Sequence, residues 1–259
     1  MSIKENYTEY NSKTWDKWSA EGDIWTLPIS HEEYERANNG DWNVILTPCK
    51  MVPKEWFLPF KGSQLLGLAS GGGQQMPIFA ALGSYVTVFD ISDRQLATEK
   101  MVSEREGYSI NIIKGDMTKR LPFEDNSFDM IFHPVSNSFI EDVEHVWREC
   151  YRVLKQGGVL LAGFANPMVY LFNDFDIHSN IGIVNKLPYN PLKNCTDEEL
   201  KAMTESDGIQ FSHSLETQIG GQLKAGLCLT DLYEDYHNEG VLVNYVPTYI
   251  ATRAVKKIV

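Results

Sequence analysis

The stretch LLGLASGGGQQ, from Leu65 to Gln75, constrains this chain more than any other. An apolar run of strand character, SQLLGLA, ends in three consecutive glycines. QMPIFAALG follows with helical spacing, and Gly83 lies just past its end as a C-terminal stop. A strand, a tight small-residue turn and a helix form the opening unit of a doubly wound α/β sheet. Glycines at such a turn let the backbone approach a ligand closely, and the helix start offers free N–H groups. The same turn also serves a fold that binds nothing, so the rest of the chain has to discriminate.

The rhythm after the turn is regular. YVTVFD reads as a second strand, rich in β-branched and aromatic residues. In the helix SDRQLATEKMVSERE, Ser92 can cap the N-terminus, and Gln95 three residues later would complete a capping box. SINIIKGD and FDMIFHPV are the third and fourth strands. DVEHVWRECYRVL spaces Val143, Val146, Trp147, Cys150, Val153 and Leu154 as one helical face, with Gly157 and Gly158 as its stop. VLLAGFA is a fifth strand. Alternating strands and helices imply a parallel sheet with right-handed crossovers. The rhythm lapses over residues 165–212, a stretch too long for an ordinary loop, which reads as a lid insertion. It returns in SLETQIGGQLKAG, where Leu215, Ile219 and Leu223 share a helical face. LCLTDLYEDYH and YVPTYIATRAVKK then form an antiparallel hairpin. The expected fold is α/β: a Rossmann-like, mostly parallel sheet closed by an antiparallel hairpin. Residues 1–62 form an N-terminal cover and 63–259 the main domain with its lid.

Residues 1–62 carry Trp15, Trp18, Trp25, Trp42 and Trp56, five of the six tryptophans. A short helix near residues 8–20 is expected, and Pro28, Pro48, Pro53 and Pro59 break anything longer. The net charge of −12 argues against phosphate backbones and anionic membranes as partners. The four cysteines lack CxxC spacing and read as reduced thiols of a cytoplasmic protein. The first residues hold no apolar secretory segment, and no apolar run approaches the ~20 residues that span a bilayer.

Asp90 ends the second strand, near the ~20-residue spacing at which an acidic side chain meets ribose hydroxyls. Asp116 ends the third strand, placed to accept from an adenine amino group. With the glycine turn, the FDMI strand and RVLKQGG, these residues resemble the class I S-adenosylmethionine-dependent methyltransferases, within the small-molecule group. The resemblance covers residues 63–164 by motif and 213–259 by topology. The family's turn reads D/E-x-G-x-G-x-G; here Gly67 stands at the acidic position, Ala69 at the first glycine, and Gly71 and Gly73 are kept. The resemblance implies S-adenosylmethionine as cofactor and a small-molecule methyl acceptor. It also implies a cofactor site of Ala69, Ser70, Gly71, Gly73, Gln75, Asp90, Ile91, Asp116, Met117 and His133. Gly71 and Gly73 are expected to meet the cofactor, while Gly72 need only be small. A nicotinamide-dependent oxidoreductase would need G-x-G-x-x-G, and its third glycine is Met76 here. A cofactor-binding protein of the same fold without catalysis stays open.

Methyl transfer from a sulfonium needs orientation, desolvation and at times a base. His133, directly after the fourth strand, is the candidate base, with a packing role as its alternative. His178 and His213 are further candidates, and His145 reads as solvated. Asp174, Asp176 and His178 alternate in NDFDIH as a metal site could, but a solvated acidic lid is the reading adopted, with no metal. Tyr10, Trp15 and Trp18 are expected over the cofactor cleft, where aromatic faces attract a cation and exclude water. Trp25 is expected to wall the acceptor pocket. Gln74 and Gln75 either reach the cofactor or cap the turn.

Overall fold

The computed structural model describes residues 2–172 and 182–258. A seven-stranded sheet forms from β1 (Gln64–Leu68), β2 (Tyr85–Asp90), β3 (Ile110–Lys114), β4 (Phe128–His133), β5 (Leu154–Ala165), β6 (Leu227–Asp235) and β7 (Tyr249–Lys256). Their order is β3-β2-β1-β4-β5-β7-β6. The first five run parallel, and β7 lies antiparallel between β5 and β6. Chain order reverses between β1 and β4, the point where a crevice opens at the carboxyl edge of such a sheet.

Alternate residues of each strand feed two cores. On one side, Leu65, Phe132 and Leu161 pack with Phe79 of α3 (Met76–Ala81) and Leu96 of α4 (Asp93–Glu106). Leu66, Ile131 and Leu160 point the other way, toward Val146, Trp147 and Cys150 of α5 (Val143–Val153). The apolar face read in α5 is therefore real, but its stop is not the glycine pair. The helix ends at Val153, Leu154 already begins β5, and Gly157 (φ +79°) lies inside that strand. The register of β4 against β5 shifts between Phe128 and Met130, so the LKQGG segment is an irregular strand entry.

The N-terminal segment divides in two. α1 (Tyr7–Glu21) matches the expected helix and lies over the carboxyl edge. The remainder builds core: Val44, Leu46, Val52 and Trp56 are buried with the sheet. α2 (His31–Asn38) was not anticipated, although Ser30 and Glu33 form a reciprocal capping box there. In α4 the expected box is incomplete. Ser92 Oγ accepts from the Gln95 N–H, but the Gln95 side chain does not return the bond.

The insertion after β5 contains structure of its own: a 3₁₀ turn at Pro167–Leu171, α6 (Pro191–Asn194) and α7 (Asp197–Glu205). Asp174, Asp176 and His178 lie outside the described residues. Leu200, Ile209 and Phe211 pack with Tyr7 of α1, which joins insertion and cover into one roof. Beyond it, Glu216–Gly220 is a π-helical turn leading into α8 (Gly221–Lys224). This segment overturns the apolar face read there. Leu215 and Leu223 are exposed, whereas Gln218, Gly221 and Gln222 are buried. A side chain at Gly221 would collide with the Trp147 ring, and that close approach turns the glycine inward. No helix among the described residues is long and apolar enough to cross a membrane.

Candidate functional site

A cavity of about 340 Å³ opens at the carboxyl edge. Its floor comes from the glycine turn (Ala69, Ser70, Gly71, Gln74, Gln75), the end of β2 (Asp90, Ile91) and the segment after β3 (Gly115, Asp116, Met117). Its roof comes from α1 (Thr8, Asn11, Trp15, Trp18), Trp25 and the 3₁₀ turn around Phe139. Residues 45–48, Ala165, Tyr170, Gln210 and Tyr249 complete the far wall.

The turn is built around Asp90. Its Oδ2 accepts from the Gly71 N–H (3.0 Å) and its Oδ1 from the Ser92 N–H (2.9 Å). Burial pushes the Asp90 carboxyl up; the backbone donors oppose that shift, and the nearby Asp16 adds to it. A Cβ on Gly71 would come within 2.9 Å of Gln95 Cβ and 3.1 Å of Asp90 Oδ2, so the turn admits no side chain there. Gly73 does not line the cavity, contrary to its expected role. It faces α4, where its N–H donates to Glu99 Oε2 (2.7 Å) and a Cβ would meet Val102 at 2.6 Å. Both Gly72 (φ +97°) and Gly73 (φ +70°) adopt the left-handed conformation, so Gly72 is more than merely small. Ala69 takes a positive φ (+50°) at the position where the family pattern has glycine. At Gly67, where the family pattern has an acid, the Met76 thioether occupies the space of a side chain, its sulfur 2.6 Å from where a Cβ would stand.

Glu99 has no exposed surface and lies beneath this turn, accepting from Gly73 and from the Tyr108 hydroxyl (3.2 Å). Burial pushes its carboxyl up to about 7, only partly opposed by those donors. Gln95 is likewise buried (3% exposed), and among the described residues neither atom of its amide has a hydrogen-bond partner. An orphaned buried amide costs roughly 1–3 kcal/mol and asks for a function. Neither residue was singled out for this role from sequence. The only signal was the Ser-x-x-Gln spacing, which suggested a cap instead.

His133 is placed apart from the cavity. It is fully buried. Nδ1 lies 2.8 Å from the Leu68 carbonyl and Nε2 2.8 Å from Asn137 Oδ1, with the Trp147 ring beside it. Burial holds its pKa down, the contacts to Leu68 and Asn137 oppose that shift, and the ring stays within this network below the β4 end. This removes the surface that a base or cofactor ligand requires, and it favours the packing alternative. His213 is buried as well, with Nε2 near the carbonyls of Asn137 (3.0 Å) and Ile140 (2.9 Å). His145 is half-buried, with Nε2 3.0 Å from the Lys119 carbonyl in an exposed contact.

The aromatic roof matches expectation in part. Trp15 stands edge-on to Trp18 (5.0 Å between ring centres) and to Phe139 (5.5 Å), all three against the cavity. Tyr10 does not line it; Lys13 lies over its ring. α1 is fastened over the cleft. Asp16 Oδ1 accepts from Ser92 Oγ (2.6 Å) and the Arg94 N–H (3.0 Å), and Ser12 Oγ donates to the Ile91 carbonyl (2.9 Å). Gln74 Nε2 donates to the carbonyls of Trp25 (2.8 Å) and Leu27 (3.1 Å), so it pins the wall beside the turn. Gln75 Oε1 accepts from Ser70 Oγ (2.9 Å) within the turn itself. Among the described residues, no group of three or more acidic, histidine or cysteine side chains could hold a metal ion.

Comparison with known proteins agrees with this geometry. Residues 66–162 match the methyltransferase domain family. The uncharacterized methyltransferase YbaJ of Bacillus subtilis (strain 168) is 45% identical over 249 residues, spanning 95% of this chain and 97% of its own. A sterol 24-C-methyltransferase of Gibberella zeae is 34% identical over 101 residues, 38% of this chain and 26% of its own. Among solved structures, the S-adenosylmethionine-dependent methyltransferase from Mesorhizobium loti superposes with a TM-score of 0.62. It covers 78% of this chain and 94% of its own at 18% identity, a likeness of fold.

Proposed function

Because this chain belongs to the class I S-adenosylmethionine-dependent methyltransferases, we propose that the roofed cavity takes the cofactor together with a small-molecule methyl acceptor. The observation that carries this reading is the division of one cavity into an end with two carboxylates, Asp90 and Asp116, and an end of aromatic and neutral polar groups. The residues fit the cofactor. Each Asp90 oxygen holds one backbone N–H and keeps a lone pair for a ribose hydroxyl. Asp116, whose Oδ1 accepts from the Thr118 N–H (2.8 Å), would take the adenine amino group. Gly71, Ala69 and Ser70 would pass beneath the methionine portion, with Ile91 and Met117 against the base. The buried orphan amide of Gln95 lies directly behind Gly71 and Gly72, where a bound ligand can give it a partner.

When bound, the cofactor supplies a methyl group activated on a sulfonium. The chain has then to orient the acceptor and exclude water. Trp15, Trp18 and Phe139 do both, because their rings close the roof and their π-systems attract a cation. No histidine base is needed in this scheme, and His133 keeps to its buried network. The net charge of −12 favours a small acceptor over nucleic acid, in keeping with a cytoplasmic metabolic enzyme. The test has two parts. S-adenosylhomocysteine should raise the melting temperature, and incubation with S-adenosylmethionine and candidate acceptors should release S-adenosylhomocysteine. A ligand shift without turnover on any acceptor would favour the non-catalytic cofactor-binding reading; no shift would remove the cavity assignment.

A further inference from the structure

The far wall of the cavity has one polar group that the fold leaves unused. Thr47 Oγ1 donates to Asp235 (2.8 Å) and the Tyr170 hydroxyl donates to Gln210 (3.0 Å). Tyr249, at the start of β7 between them, also lines the cavity. Among the described residues its hydroxyl has no hydrogen-bond partner. Its ring belongs to an aromatic series. The His237 ring lies 6.1 Å away at 32°, and Trp25, which also lines the cavity, lies 6.4 Å beyond His237.

The electrostatics there have a definite sign. Burial, then Asp235 and Cys49, push the Tyr249 hydroxyl up to about 12, so it keeps its proton at neutral pH. Burial alone would raise the Asp235 carboxyl. The N–H groups of Lys50 and Cys49 and the Thr47 hydroxyl outweigh it and hold the group ionised. The described lining includes Asp90 and Asp116 and no lysine or arginine, and residues 173–181 carry neither in sequence. A carboxylate or phosphate at this end would therefore lie near the ionised Asp235 with no lining cation to offset it. An ammonium could donate to the Tyr249 oxygen but, having no lone pair, would leave the Tyr249 proton itself without an acceptor.

We propose that Tyr249 binds the methyl acceptor by donating a hydrogen bond from its hydroxyl, and that the acceptor is an uncharged aromatic ring system carrying a hydrogen-bond-accepting nitrogen or oxygen. This rests on the reading that cofactor and acceptor share the cavity. Trp25 and Tyr249, which both line the cavity, would contact the ring, and the Tyr249 proton fixes which edge of the ring enters.

The experiment uses the full chain saturated with S-adenosylhomocysteine and three calorimetric probes: quinoline, naphthalene and quinoline-6-carboxylate. They share a bicyclic aromatic frame, and only the two quinolines carry the accepting nitrogen. Quinoline should bind tighter than naphthalene by about two- to tenfold, the range of one net hydrogen bond. Tyr249→Phe should abolish that preference without changing naphthalene binding, and Trp25→Ala should weaken both neutral probes. The carboxylate should bind weakest. A preference that survives Tyr249→Phe, a carboxylate that binds tighter than quinoline, or no binding of either neutral ring to the loaded parent would overturn the proposal. The S-adenosylhomocysteine melting shift separates the two failures. If the shift persists, only the acceptor assignment falls; if it is absent, the cavity reading falls with it.

Discussion

Replacing Glu99 by glutamine tests the construction of the glycine turn through its pH dependence. The carboxyl is fully buried, accepts from Gly73, and titrates in the folded state near 7 instead of at its ordinary 4.5. A raised carboxyl means that the folded chain binds the proton more tightly than the unfolded chain. Stability is then greatest below the unfolded value and falls as pH climbs toward the folded one. Between pH 5 and pH 8 the loss works out to about 2.5 kcal/mol. For a chain of this size that is about 5–10 °C in melting temperature. Glutamine can still accept from the Gly73 N–H and carries no charge at any pH. Thermal melts of parent and Glu99→Gln across pH 5 to 8 should therefore diverge, the variant gaining on the parent by about that amount at the alkaline end. Taking the difference between the two proteins cancels every other titrating group. A gap that stays constant with pH would refute the reasoning, because Glu99 would then be ionised, or protonated, throughout.

Four further variants test the turn and its roof. Gly73→Ala should lower the melting temperature without ligand, since a Cβ meets Val102 at a positive φ. Gly71→Ala should lower both the melting temperature and the S-adenosylhomocysteine shift, because the added methyl meets Gln95 Cβ and crowds the Asp90 carboxylate. Asp90→Ala should weaken cofactor binding, measured by calorimetry, by about 1.5–3 kcal/mol. It should also cost stability, since Gly71 and Ser92 lose their acceptor; unchanged affinity in a folded variant would take Asp90 out of the site. Asp16→Ala should free α1 from the start of α4 and hasten proteolysis of the N-terminal segment, and S-adenosylhomocysteine should slow that cleavage again.

Much of the sheet was legible because each parallel strand is a short apolar run with a turn or cap at its end. The first five strands and the closing hairpin needed no more than that. Legibility failed where identity of residue type hid identity of role. Three consecutive glycines look equivalent in sequence, yet Gly71 faces the cavity, Gly72 abuts the Gln95 amide and Gly73 abuts Val102. Only backbone direction separates them. Leu215, Ile219 and Leu223 formed a convincing apolar face, but the π-helical turn at 216–220 inserts a residue into the repeat. Gln218, Gly221 and Gln222 rotate inward to meet Asn137, Trp147 and Thr252 respectively. His133 stood at the right edge of the sheet, yet its side chain turned below that edge, where Asn137 and the Leu68 carbonyl satisfy it.

The roof and the turn are mechanically one unit, which changes how the cavity should respond to its ligand. Asp16 shares Ser92 with Asp90: the serine hydroxyl donates to one aspartate and its N–H to the other. Asn11 meanwhile donates to the carbonyls of Phe139 (3.1 Å) and Ile209 (3.0 Å) and accepts from the Ile209 N–H (2.7 Å), tying α1 to the insertion. A ligand that draws on Asp90 therefore pulls on the start of α4, on α1 and, through Asn11, on the wall that carries Gln210. Burial holds the Asp90 carboxyl above its ordinary value, and Asp16 adds to that shift. Hydrogen bonds from a bound diol would stabilise the charged form and lower it again. Cofactor binding should release protons on this account, so its affinity should rise with pH up to the carboxyl's raised value. An affinity that falls with pH across that range would mean that Asp90 does not take the diol.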